Sequence, residues 1–180
     1  MAKQKQRQIS LALQGGGAHG AYTWGVLDRL IEEDDLEIKA ISATSAGAMN
    51  AVAFSAGMAE NGVQGAKDTL EALWQGISKS SRNVTPYGAL SPIVFAYASA
   101  MSSLASPYDL NPFNINPLRD VVEQVIDFSK VDESGIQLFL SATNVESGHV
   151  TVFSDGDISL DAVLASACLP QTFKAVEIDG

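Results

Sequence analysis

The chain has 180 residues, 46% of them hydrophobic, which is enough for one domain around a single core. Its net charge of -10 argues against nucleic-acid binding and against attraction to anionic lipid by charge alone. Cys168 is the single cysteine, so no intramolecular disulfide forms, and cytoplasmic residence is the expected location. Met1 to Gln8 is basic and polar and lacks the apolar core of a signal peptide; residues 1–7 read as a frayed lead-in. Export by a route that needs no signal peptide stays open.

The first short apolar strand is Ile9-Ser10-Leu11-Ala12-Leu13, and the helix behind it carries Trp24, Leu27, Leu30 and Ile31 on one face. Between them lies Gln14-Gly15-Gly16-Gly17-Ala18-His19-Gly20. Gly15-x-Gly17-x-x-Gly20 satisfies the dinucleotide-binding fingerprint, with Glu37 near the expected ribose-binding spacing, but the loop lacks the lysine and Ser/Thr of a Walker A motif. Three glycines entering a helix also turn successive N–H groups toward one point. Gly15, Gly16 and Gly17 are thus also a candidate oxyanion hole, with nucleotide binding and a plain tight turn as the other readings of the loop taken alone.

The second strand, 38–43, runs into Ala43-Thr44-Ser45-Ala46-Gly47 and then an alanine-rich helix with Met49, Val52 and Phe54. Two strand-turn-helix units in succession predict an α/β sandwich of three layers, α/β/α, with a mostly parallel central sheet and both turns on its carboxyl rim. A serine between small residues at such a turn is a nucleophile elbow, G-x-S-x-G, with Ser45 as the nucleophile. Side chains larger than a methyl at 43 and 47 are expected to collide with the neighbouring strand and helix. Ala43 stands in place of the usual glycine, at a cost of about 1 kcal/mol if that residue needs φ > 0. The elbow on the second strand favours the oxyanion reading of the glycine loop, because a dinucleotide site has no use for an exposed serine there.

Glu32-Glu33-Asp34-Asp35 closes the first helix as a solvated cluster, without a histidine beside it or calcium-loop spacing, and no metal site is expected. Leu70, Leu73, Trp74 and Ile77 have core periodicity. No charged residue occurs from Asn83 to Tyr108. Pro86, Pro92 and Pro107, a glycine and many serines argue against a membrane-spanning helix there; 83–108 is expected to be an insertion packed on the domain or a lid above the elbow. Leu118, Val121, Val122, Val125 and Ile126 form the apolar side of a further helix, and 136–142 and 150–153 alternate as strands around a Ser147-Gly148 turn. His149 after that turn is a solvated turn residue or the histidine of a Ser-His-Asp triad. His19 shields the loop, caps a carbonyl or positions a head group, and Cys168 is a small buried filler.

The glycine loop, Thr44-Ser45-Ala46-Gly47-Ala48, Phe139-Leu140-Ser141-Ala142-Thr143-Asn144 and Ala165-Ser166-Ala167-Cys168-Leu169-Pro170 together resemble the patatin-like phospholipases over nearly the whole chain. The resemblance implies an acyl hydrolase acting on lipid acyl esters through a Ser-Asp dyad, with no cofactor, no metal and no catalytic histidine. It makes Ser45 the nucleophile and Gly15, Gly16 and Gly17 the oxyanion loop, with Gly20 and Gly47 as supporting motif residues. The partner it implies is a lipid or other acyl ester, with transient contact at a lipid interface. His19 stands where many members carry arginine or lysine. The family's aspartate lies in an Asp-Gly-Gly or Asp-Gly-Ala motif shortly after the block at 165–180, so the domain, 1–180, is expected to be incomplete at its C-terminal end. Residues 176–180 read as a strand entering a turn, with Asp179 an ordinary turn residue rather than the base. A dinucleotide-binding module and a catalytically silent lipid-binding relative are the alternatives.

Overall fold

The computed structural model describes residues 6–84, 106–170 and 173–178. Four strands form one sheet in the order β1 (Arg7–Leu13), β2 (Leu36–Thr44), β3 (Gln137–Thr143) and β4 (Val150–Ser154). The first three are parallel, with Leu11 beside Ile41 and Ala43 beside Leu140; β4 returns antiparallel, with Phe153 beside Leu140. The α/β class and the mostly parallel sheet are as expected from the sequence.

Arg7, expected in the lead-in, is the first residue of β1. Its N–H donates to Asp35 O at 2.7 Å and its guanidinium pairs with the Asp35 carboxylate at 2.9 Å. The acidic cluster is likewise tied down as well as solvated. Glu33 pairs with Arg29, and Glu32 reaches Lys67 at 2.7 Å.

After β1 comes α1 (Gly20–Leu30), which buries Leu27; after β2 comes α2 (Ala46–Val84). Within α2, Asn61 and Gly62 leave helical geometry, and Gly62 takes φ 58°, so the element is two helices joined at a sharp corner. The first of these buries Ala46, Ala48, Met49, Ala51, Val52, Ala53 and Phe54 around its whole circumference, which is why it reads as alanine-rich rather than amphipathic. Residues 63–84 carry Leu70, Leu73 and Trp74 back into the core. Three shorter helices follow: α3 (Pro107–Leu110), α4 (Pro117–Val125) and α5 (Leu160–Ser166).

Leu11, Leu13, Ile38, Ile41, Leu138 and Leu140 turn toward Leu27, Phe54 and Val122, so the described helices share one face of the sheet. Successive right-handed crossovers in a sheet that grows in one direction have this result. The opposite face carries Ala12, Ser42, Phe139 and Val152, all exposed among the described residues. Of the three layers expected, the described residues supply the sheet and one helical layer.

Residues 173–178 join no strand ladder, contrary to the expectation for 176–180. Lys174 instead bonds the turn before α4, with its N–H 3.4 Å from Asn114 Oδ1 and its Nζ 2.8 Å from Pro112 O. Residues 179–180, and 85–105 of the uncharged segment, lie outside the described residues.

Candidate active site

β1 and β2 end side by side, and the turns that follow them meet. Ser45 takes φ 56°, the left-handed region that L side chains disfavour, between the last residue of β2 and the first of α2. A Cβ built on Gly15 would lie 3.0 Å from Ser45 Cβ and 3.7 Å from Ser45 Oγ. The glycine loop therefore packs directly against the serine. Gly16 and Gly17 follow with φ 156° and 57°, and a 3-10 turn over Gly17–His19 leads into α1. Such a run of positive-φ glycines turns N–H groups inward in a way side-chain-bearing residues resist.

Gly47 has the tightest surroundings. A Cβ there would stand 2.3 Å from Leu13 O and 2.9 Å from Gln14 O. Even a methyl is excluded, which is stricter than the sequence suggests. Ala43 is different: it sits inside β2, 5% exposed and without positive φ, so the expected strain of alanine at that position is not incurred. The strained residue of the elbow is the serine itself.

Gly20 seats α1 on α2. A Cβ there would come 2.7 Å from the Trp74 ring and 2.8 Å from Ala46 Cβ. Beneath it runs a buried polar chain that the sequence reading missed: Trp74 Nε1 donates to Asn50 Oδ1 at 2.8 Å, and Asn50 Nδ2 donates to Gly20 O at 2.9 Å. A fully buried asparagine in an apolar helix, with a tryptophan twenty-four residues on, was the available signal.

The sequence reading missed a second set at the ends of β2, β3 and α5. The Ser45 N–H donates to Ser166 Oγ at 2.8 Å, and Ser166 Oγ donates to Ser141 O at 2.8 Å. Thr44 Oγ1 and Ser141 Oγ are hydrogen-bonded to one another.

The remaining candidates are scattered. His19 Nδ1 bonds Gly16 O at 3.0 Å, closing the glycine loop on itself. His149 lies in the β3–β4 turn, where its backbone carbonyl accepts from Asn144 N at 2.9 Å. Neither ring is hydrogen-bonded to Ser45, and no carboxylate among the described residues bonds Ser45 Oγ. Glu37 is at the amino end of β2, seven residues before Thr44 and so about 23 Å along the strand from the rim. Its carboxylate pairs there with Lys39 at 2.6 Å and Gln8 at 3.1 Å. It is on the wrong edge of the sheet for a ribose bound at the glycine loop. Cys168 is half-buried rather than fully buried, its thiol facing the Lys174 carbonyl at 3.4 Å and pushed up in pKa by burial.

Beside the loop, an apolar cleft of about 720 Å³ opens between α1 and the second half of α2, lined by Ala18, Ala21, Trp24, Trp74 and Ile77. Among the described residues no group of His, Cys, Asp and Glu could hold a metal ion, and no helix is long and apolar enough to cross a membrane.

Residues 11–180 match the family profile described as patatin-like phospholipase. No curated protein matches the sequence. Among solved structures the chain is similar to VipD from Legionella pneumophila, at 14% identity and TM-score 0.48 over 96% of this chain and 44% of that one. It is also similar to a chain in the complex of full-length SpcU with full-length ExoU from the type III secretion system of Pseudomonas aeruginosa, at 18% identity and TM-score 0.38 over 91% of this chain and 39% of that one. The chain thus spans less than half the length of these structures.

Proposed function

This chain belongs to the patatin-like phospholipase family, and on that premise we propose that it is the nucleophile-bearing part of a serine acyl hydrolase that cleaves fatty-acyl esters of lipids. The observation that carries the reading is the contact between the two turns: a serine in left-handed conformation at a strand-helix elbow, with Gly15 packed on its side chain. Ser45 Oγ attacks the ester carbonyl carbon while an aspartate carboxylate takes its proton. The carbonyl oxygen becomes an oxyanion, which the N–H groups of the Gly15–Gly17 loop stabilise, aided by the positive end of α2. Collapse breaks the ester bond, the leaving alcohol takes the proton from the aspartate, and an acyl-serine remains. Water then attacks this acyl-enzyme, the aspartate accepts the water's proton, and the fatty acid leaves as Ser45 Oγ is reprotonated.

We place the aspartate in an Asp-Gly-Gly or Asp-Gly-Ala motif after Gly180 rather than at Asp179. The acyl chain lies in the apolar cleft beside the loop, which its lining of Trp24, Trp74 and Ile77 suits. The reaction needs no cofactor and belongs in the cytoplasm at a lipid interface.

The test is labelling of the full-length protein by a fluorophosphonate together with hydrolysis of short p-nitrophenyl esters, both expected to vanish in Ser45→Ala. Labelling that survives that substitution overturns the assignment of the nucleophile. Saturable NADH binding without hydrolysis would revive the dinucleotide module, and lipid binding without turnover would make this a silent relative.

A further inference from the structure

Ser166 stands at the last turn of α5, 121 residues from the elbow, yet its hydroxyl is the acceptor for the backbone N–H of Ser45 at 2.8 Å. The same oxygen donates to the main-chain carbonyl of Ser141 in β3 at 2.8 Å. One hydroxyl therefore uses its donor on a strand of the sheet, which fixes its orientation and points a lone pair at the elbow. The strand end is itself stitched to β2 by the Thr44–Ser141 hydroxyl pair. α5 is in turn held firmly. Ser159 Oγ caps it by accepting from Ala162 N at 3.2 Å, Asp161 pairs with Arg119 of α4, and Ala162, Val163 and Leu164 are buried.

The left-handed conformation at Ser45 is one an L residue keeps only when its surroundings hold it there. Rotation toward ordinary backbone geometry would carry the Ser45 N–H away from Ser166 Oγ and move Oγ from its place beside Gly15. We propose that Ser166 is a positioning residue for the nucleophile: anchored on the Ser141 carbonyl, its hydroxyl holds the Ser45 backbone in the conformation that presents Oγ at the glycine loop. A second consequence follows from donor arithmetic. The Ser45 N–H is already engaged, so the oxyanion must draw its donors from the glycine loop and the start of α2 rather than from the nucleophile's own amide. This role rests on Ser45 being the nucleophile.

The experiment compares wild type, Ser166→Ala and Ser166→Thr in the full-length protein, measuring kcat and KM on a soluble p-nitrophenyl ester and the rate of fluorophosphonate labelling at residue 45. Misplacement of a reacting atom costs on the order of a hundredfold. Ser166→Ala should accordingly lose about tenfold to a hundredfold in kcat and in labelling rate with KM nearly unchanged, and Ser166→Thr, which restores a hydroxyl, should recover most of both. If the alanine variant does not accumulate, Ser166→Cys keeps the side-chain shape with a weaker hydrogen-bonding group and should show the same split. Wild-type rates in folded Ser166→Ala, or an equal loss in Ser166→Thr, overturn the positioning role. A wild-type protein that neither labels at Ser45 nor turns over overturns the acyl-hydrolase reading itself, and this role with it.

Discussion

Gly47 and Leu13 are in such close approach that a Cβ on the glycine would stand 2.3 Å from the leucine's carbonyl oxygen. The obstacle is backbone on both sides, so neither can rotate out of the way. Gly47→Ala should cost about 3 kcal/mol or prevent folding, as overpacking against rigid atoms does, measured by urea unfolding. Ala43→Gly, two residues before Ser45, should cost about 1 kcal/mol through backbone entropy and leave turnover unchanged. A well-folded Gly47→Ala protein would show that β1 and α2 lie farther apart than described.

Gly17 has φ 57° and open space where a Cβ would go, so any substitution there acts through backbone conformation alone. Gly17→Val should lower kcat by at least about a hundredfold, the value of one oxyanion donor, without loss of the fold. Gly17→Asn should be milder, since asparagine tolerates the left-handed region. Equal damage from both, or none from either, would remove the loop's geometry from the mechanism.

Asn50 is fully buried and satisfies both the Trp74 indole and the Gly20 carbonyl. Asn50→Leu leaves the buried indole N–H without a partner, at about 1–3 kcal/mol, and strips the Gly20 carbonyl of its bond to the amide. The expected result is a lower unfolding midpoint, a shift in tryptophan emission, and a slower enzyme, because Gly20 is where α1 and the glycine loop are seated. An unchanged midpoint would mean that water replaces the amide.

Burial holds the Asp28 carboxyl above its ordinary value, with the Lys67 ammonium offsetting part of the effect. A raised carboxyl favours the fold when protonated, and that contribution fades as pH rises through the raised value. Asp28→Asn should therefore raise the melting temperature at pH 7.5, and the gain should shrink toward pH 4. A gain independent of pH would show that the carboxylate's charge is not the cause.

The elbow and the glycine loop were legible in the sequence because they are backbone features: Gly15 and Gly47 face close neighbours, Gly16 and Gly17 take positive φ, and their spacing reports the turn directly. The parallel sheet followed from the same units, and α4 and the β3–β4 hairpin from plain periodicity. Glu37 was misplaced by counting residues, since β2 begins at Leu36 and puts the carboxylate at its amino end. The 176–180 segment read as a strand by composition, but 173–178 spends its hydrogen bonds on the turn before α4 instead. Ser166 sits in the stretch Ala165–Pro170, whose local sequence gives it no role. Its partners lie 25 and 121 residues away, and no local pattern carries contacts of that range. Trp74 passed as simple core although its N–H required a partner.

The proposed nucleophile, Ser45, is also a flaw in the scaffold. Holding an L residue left-handed at position 45 costs roughly 1–2 kcal/mol that a glycine would not incur. A Ser45→Gly protein should outlast the wild type on heating while doing no chemistry. Directed evolution toward heat resistance alone would then drift toward losing the hydroxyl, so thermostable lineages of this protein have to be screened for turnover at every round.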